Sequence, residues 1–127
     1  PMPTAKVLVI EDNPMNMELA TDLLQLQGYE VLQAVTAFEA LGLLHQVKPD
    51  LILMDLQLPG LNGLDLTRDL RQDPRTKDIP IIAITAYAMM GDEDKAFLAG
   101  CNAYIPKPIE TTKFFQVVGD VLSRSRG

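Results

Sequence analysis

Five side chains have the types and positions to do chemistry together: Glu11 and Asp12 directly after the apolar run Val7 to Ile10, Asp55 after Leu51 to Met54, Thr85 at the close of Ile81 to Ile84, and Lys107 after Asn102 to Ile105. Carboxylates gathered within a few ångströms repel one another, and a hard divalent cation with oxygen ligands is the cheapest relief. Mg²⁺ is the natural candidate, because a site with few protein ligands keeps positions for water and phosphoryl oxygens. In that setting Asp55 is a carboxylate nucleophile. Lys107 supplies a point charge against that carboxylate or its phosphoryl oxygens, and Thr85 offers a hydroxyl donor. Each residue also has an ordinary reading: a solvated loop or helix cap for Glu11 and Asp12, a turn former for Asp55 in Asp-Leu-Gln-Leu-Pro-Gly, and commonplace surface and strand-end residues for Lys107 and Thr85. Their joint placement at the ends of four candidate strands separates the two readings.

Those runs must be strands for the placement to matter. Residues 7–10, 51–54 and 81–84 are continuously apolar, as expected of central parallel strands covered on both faces. Two mixed runs, 30–34 and 102–105, suit the sheet edges. Between them lie helical patterns. The first has a stripe of Leu19, Ala20, Leu23 and Leu24, an N-cap at Asn13 followed by Pro14, and an end near Gly28. The second opens on a capping box from Thr36 to Glu39, continues through Ala37, Ala40, Leu41, Leu44 and Val47, and stops at Pro49. The third, with Leu64, Leu66 and Leu70, follows the turn at Leu58 to Gly60. The fourth runs from about Met89 to Ala99 with Gly100 as its stop, and the fifth carries Thr111, Phe114, Phe115, Val118, Val121 and Leu122. Strict alternation of strand and helix predicts an α/β doubly wound fold: right-handed crossovers, a parallel sheet, and helices on both faces. In such a sheet the functional crevice lies beyond the carboxyl ends of the strands, where all five candidate side chains fall.

The 127 residues suit one domain, expected over 4–123 with a short polar tail at 124–127 and no output domain. A net charge of −6 argues against nucleic acid or an anionic membrane surface as partner, leaving protein. Cys101 is the single cysteine, which excludes an intrachain disulfide and a structural zinc and fits a reducing cytoplasm. The longest apolar stretch, near Ile79 to Met90, is interrupted and short of the roughly 20 residues a membrane span needs. No signal peptide is visible, and Pro1 precedes a candidate native Met2.

With these residues in place, the chain resembles the receiver domains of response regulators. The motifs are Val-Leu-Val-Ile-Glu-Asp-Asn at 7–13, Leu-Met-Asp-Leu-Gln-Leu-Pro at 53–59, Gly63, Ile-Thr-Ala at 84–86 and Tyr-Ile-Pro-Lys-Pro at 104–108. The resemblance covers almost the whole chain and implies a flavodoxin-like (βα)5 fold with strand order 2-1-3-4-5. It implies that Asp55 is phosphorylated, that Glu11 and Asp12 with Asp55 and the backbone carbonyl of Gln57 hold Mg²⁺, and that Thr85 and Lys107 contact the phosphoryl group. Tyr104 is implied as the aromatic whose ring moves inward when Thr85 is drawn to the phosphoryl group; its ordinary reading is a half-buried edge-strand tyrosine. Gln57 and Tyr87 are implied to tune hydrolysis, and the Lys107–Pro108 peptide to be cis.

Within that family the chain looks most like single-domain regulators of cell-cycle and cell-fate phosphorelays, with receivers of hybrid histidine kinases as the alternative. The expected donor is a histidine kinase or a histidine phosphotransfer protein. The expected output is a protein target on the face of the fourth helix, fifth strand and fifth helix, where Met89, Phe97 and Ile105 are apolar candidates, with the chain a monomer or weak dimer. A Mg²⁺-dependent phosphohydrolase with an aspartate nucleophile would want a second Asp where Gln57 stands, a flavoprotein would not want Glu11 and Asp12 at its phosphate, and a pure interaction module needs none of this chemistry.

Overall fold

In the computed structural model, residues 4–58, 62–86 and 91–126 are described. Five strands, β1 (Lys6–Ile10), β2 (Glu30–Ala34), β3 (Leu51–Asp55), β4 (Ile81–Thr85) and β5 (Ala103–Pro106), alternate with α1 (Pro14–Leu26), α2 (Ala37–Gln46), α3 (Gly63–Gln72), α4 (Asp92–Ala99) and α5 (Thr111–Arg126). All strands are parallel, in the order β2-β1-β3-β4-β5. The fully buried strands β3 and β4 are the continuous apolar runs, and the mixed β2 is an edge.

The pleat divides the core in two. Val7, Val9, Leu51, Leu53, Ile82, Ile84 and Ile105 face α1 and α5 with Phe114 at their centre. Leu8, Ile10, Ile52, Met54, Ile81 and Ala83 face α2, α3 and α4. Burial on both faces is why these strands read as unbroken apolar runs. None of the helices among the described residues is long and apolar enough to cross a membrane.

Local signals largely match the elements. The Asn13 side chain accepts from Asn16 N–H at 3.0 Å, and Pro14 takes the first helical position of α1. Thr36 accepts from Glu39 N–H at 3.0 Å, while the Glu39 carboxylate reaches Val35 N–H at 2.8 Å, one residue earlier than the usual reciprocal bond. Gly100, with φ of 119°, ends α4.

Four details differ from expectation, and a fifth falls largely outside the described residues. The buried stripe of α1 is Met17, Ala20, Leu23 and Leu24, and Leu19 turns outward. In α2, Leu41 is exposed and Leu43 joins Leu44 against the core. β5 begins at Ala103, because the Asn102 side chain itself accepts from Ile81 N–H at 2.9 Å and from Arg71 at 2.7 Å. The described α4 starts at Asp92 after Gly91, and Met89 lies outside the described residues, as does much of the turn expected at Leu58 to Gly60. The residues read as a polar tail continue α5 to Arg126, with the Ser125 hydroxyl donating back to Val121 O at 3.1 Å.

Candidate functional site

The carboxyl ends of β1, β3, β4 and β5 bring Glu11, Asp12, Asp55, Thr85 and Lys107 to one edge of the sheet. Asp55 is the last residue of the central strand β3 and is 4% exposed, because Leu56 N–H still bonds to Ile84 O at 3.0 Å and keeps the turn against the sheet. Glu11 is anchored next door by its own N–H to Ala34 O at 3.0 Å and is 5% exposed. Lys107 N–H donates to Thr85 O at 2.8 Å, which extends the β4–β5 pairing one residue and sends the lysine back over the strand ends. The Lys107–Pro108 peptide is cis, as expected. Thr85 is 2% exposed, whereas Asp12 lies open to solvent at the rim.

Lys107 Nζ donates to Asp55 Oδ2 and to Glu11 Oε1, each at 3.0 Å, so one ammonium bridges two buried carboxylates. The other Asp55 oxygen, Oδ1, accepts from Gln57 N–H at 2.9 Å. Burial, followed by a hydrogen bond to Asp55, pushes the Glu11 carboxyl up to about 7. Burial pushes Asp55 the same way, but hydrogen bonds from Glu11, the Gln57 N–H and Lys107 outweigh it and hold Asp55 below the usual carboxylate range. Burial likewise opposes the charge on Lys107, and its two carboxylate partners overcome that and raise it. The bonds from Lys107 and the Gln57 N–H thus favour the ionised form of Asp55, while burial favours the protonated form of Glu11. An ionised Asp55 is the form a carboxylate nucleophile requires.

One oxygen of each of Glu11, Asp12 and Asp55 lies within 4.8 Å of the others. Glu11 Oε2 is buried and has no hydrogen-bond partner among the described residues. A buried carboxylate oxygen left unpaired costs free energy that a cation would recover, and an all-oxygen donor set suits a hard ion. The residues present fit Mg²⁺.

Next to this crevice, a cavity of about 210 Å³ is lined by Leu56, Gln57, Asn62, Leu64, Thr85, Asp92 and Lys95. The Gln57 amide nitrogen is buried there without a partner among the described residues. The contribution of α4 was not legible in the sequence: Asp92 and Lys95 look like members of an ordinary acidic first turn until the fold sets them beside Thr85. Gly63, one of the motif positions, owes its place to a close approach that the sequence does not show. A Cβ there would lie 2.7 Å from Leu56 Cα and 3.0 Å from Asp55 O, so only glycine lets α3 start against the Asp55 turn.

Tyr104 is half-buried on β5 opposite Ala83, on the same sheet face as Thr85 two residues further along β4. Burial, then Asp92 and Glu93, raises its phenol. On the expected output face, Phe97 and Leu98 of α4 are exposed. Ile105 is not part of that face: it is 0% exposed, because the pleat turns it toward Phe114 under α5. Tyr87 lies outside the described residues.

The profile of the response regulator receiver domain matches residues 7–119. The polar-differentiation response regulator DivK of Brucella ovis is 44% identical over 119 residues, which are 94% of this chain and 97% of that protein. The DivK of Brucella anthropi is 45% identical over 116 residues, 91% of this chain and 94% of that protein. Among solved structures, a response regulator of Chloroflexus aurantiacus superposes with a TM-score of 0.91 at 32% identity, covering 95% of this chain and 99% of that one. The receiver domain of a sensor histidine kinase from Pseudomonas aeruginosa, solved with a magnesium ion in its active-site cleft, gives 0.86 at 31% identity over the same shares. With the strand order, the acidic crevice and the bridging lysine already in place, these matches show that the chain belongs to the response regulator receiver domains of two-component systems.

Proposed function

We propose that this receiver domain accepts a phosphoryl group on Asp55 from the phosphohistidine of a histidine kinase or a histidine phosphotransfer protein, and that the modified form changes its contacts with a downstream protein. The observation that carries this reading is the Asp55 carboxylate at the end of the central strand, held by Lys107 Nζ at 3.0 Å with Glu11 on the other side of the same ammonium. An Asp55 oxygen attacks phosphorus, the phosphorus–nitrogen bond to the donor imidazole breaks, and the imidazole keeps the bonding pair and takes up a proton. The product is an acyl phosphate, and no electron changes hands.

Glu11, Asp12, Asp55 and the backbone carbonyl of Gln57 are the proposed holders of Mg²⁺, which when bound neutralises charge on the phosphoryl oxygens. Lys107 moves its charge from the Asp55 carboxylate to a phosphoryl oxygen, and Thr85 donates its hydroxyl to another. Water later returns Asp55 to the carboxylate, and Gln57 and Tyr87 are the proposed determinants of its access. No external substrate is turned over, which makes the chain a signalling switch rather than an enzyme. Its acceptor chemistry belongs in the cytoplasm, where the kinase meets ATP.

The likeness to DivK over nearly the full length of both chains favours a phosphorelay in cell differentiation. The Pseudomonas neighbour favours the second reading, a receiver segment of a hybrid histidine kinase. For output, the shared face of Thr85 and Tyr104 supports Tyr104 as the two-state element, passing the change to a protein on α4, β5 and α5.

The test is incubation with acetyl phosphate and Mg²⁺, followed by intact-mass measurement. One labile phosphoryl adduct is expected on the wild type and none on Asp55→Asn; undiminished labelling of the variant would overturn the assignment.

A further inference from the structure

The charges on α4 have no use in the chemistry above. Asp92 and Lys95 lie one helical turn apart and both line the cavity that Thr85 and Gln57 close from the sheet side. Although their i, i+3 spacing would let them pair, no ion pair joins them, and the Lys95 ammonium has neither a hydrogen bond nor a salt bridge among the described residues. Lys107, by contrast, is fully engaged by two carboxylates. The two ends of α4 also differ. At its C-terminal end Arg71 Nε donates to Gly100 O at 2.9 Å, and Cys101 N–H closes on Ala96 O at 3.0 Å. Its N-terminal end follows Gly91, with φ of 98°, and has no side-chain cap.

We propose that Lys95 is a second cation for the phosphoryl group of Asp55, placed by α4 on the far side of Thr85, and that Asp92 opposes it. The inference rests on the phosphoacceptor reading and deepens it. Phosphorylation adds roughly −1.5 to −2 charge to a crevice whose own lysine must already balance two carboxylates. Thr85 follows Ile84, the register partner of Asp55, and lines the same cavity as Lys95, so the new charge is added across Thr85 from a long, uncommitted lysine stem. Lys95 swings toward the added charge, and Asp92 is pushed away from it. The cap-free end of α4 is the end that can follow, since Arg71 anchors the other. Lys95 is therefore a positioning residue: it strengthens the phosphorylated state and couples it to α4, without bonding to Asp55 in the resting state.

The experiment titrates beryllofluoride, a phosphoryl analogue, into the full chain with Mg²⁺ and follows backbone amide resonances. At low salt, Lys95→Gln should weaken the analogue about three-fold, the order of an exposed charge, and Lys95→Arg should bind as the wild type does. Asp92→Asn should tighten binding by a similar factor. At about 1 M salt, where the Debye length is about 3 Å, all four proteins should converge. Lys48→Gln, at the opposite end of the sheet, controls for net charge and should leave binding unchanged. Equal affinity of wild type and Lys95→Gln at low salt, or the same loss in Lys48→Gln, would overturn the role of Lys95 while leaving the phosphoacceptor reading intact. A wild-type chain that does not respond to beryllofluoride overturns both.

Discussion

One ammonium serving two buried carboxylates makes Lys107 the residue on which the resting crevice depends. Its side chain is 14% exposed, and those of Glu11 and Asp55 are 6% and 4% exposed. Removing one member of so buried a set strands the others, a cost of about 3 kcal/mol. Lys107→Met should therefore lower the denaturation midpoint in Mg²⁺-free buffer at neutral pH by that order. Adding Glu11→Gln should return part of the loss, because Asp55 is then the single buried carboxylate left without the lysine. If the double variant is as unstable as the single, the lysine acts through its stem and the charge argument fails. Cys101 illustrates the opposite case. Its thiol is buried near Thr67, and burial pushes its ionisation upward, so it behaves as a small core residue.

At the scale of elements, the site is only as good as the starts of the helices that follow its strands. The first turn of α3 meets the Asp55 turn backbone to backbone: Gly63 N–H bonds to Leu56 O at 3.3 Å, and the Thr67 hydroxyl donates to Gly63 O at 2.8 Å inside the core. Neither neighbour is a flexible side-chain tip that could move aside. Gly63→Ala should cost about 2 kcal/mol by overpacking, and it should slow phosphorylation of Asp55 as well, since Leu56 and Gln57 shift with the clash. A stability loss with an unchanged phosphorylation rate would separate α3 from the site. Arg71 ties the other ends together. It bonds to Lys77 O, Ile79 O, Gly100 O and Asn102 Oδ1, joining α3, the entry to β4, the end of α4 and the entry to β5. Nothing in its sequence neighbourhood announces that role.

For the whole molecule, the acidic rim couples the chemistry to the stability of the fold. An ion that binds the native crevice and not the unfolded chain stabilises by mass action, about 1.4 kcal/mol at ten times its dissociation constant. Millimolar Mg²⁺ should thus raise the thermal midpoint, EDTA should reverse the rise, and Asp12→Asn should blunt it, because Asp12 is the exposed member of the triad. A midpoint indifferent to Mg²⁺ would remove the metal from the mechanism. The two-sided core makes this coupling global: β3 carries Asp55 and packs on α1 and α5 with one face and on α2, α3 and α4 with the other.

The amino-acid sequence alone determined the alternation of elements, the three central strands and the strand ends at which Glu11, Asp12, Asp55, Thr85 and Lys107 stand. These are local matters: a strand covered on both faces must be apolar throughout, and a polar residue ending such a run must lie at the sheet's edge. Caps at Asn13 and Thr36 were legible for the same reason, since a cap bonds within its own turn. What only the tertiary structure decided involves groups distant along the chain. The apolar pattern could not say that Leu19 would face water or that Ile105 would lie under α5, because a helix stripe or a strand face has a direction only once its neighbour is in place. Nor could it reveal the bridge from Lys107 to Glu11, 96 residues away, or the cavity that brings Lys95 beside Thr85. Those depend on how the crossovers pack, and the opposite directions in which the Glu11 and Asp55 carboxyls are pushed follow from burial and hydrogen bonds that no single segment contains.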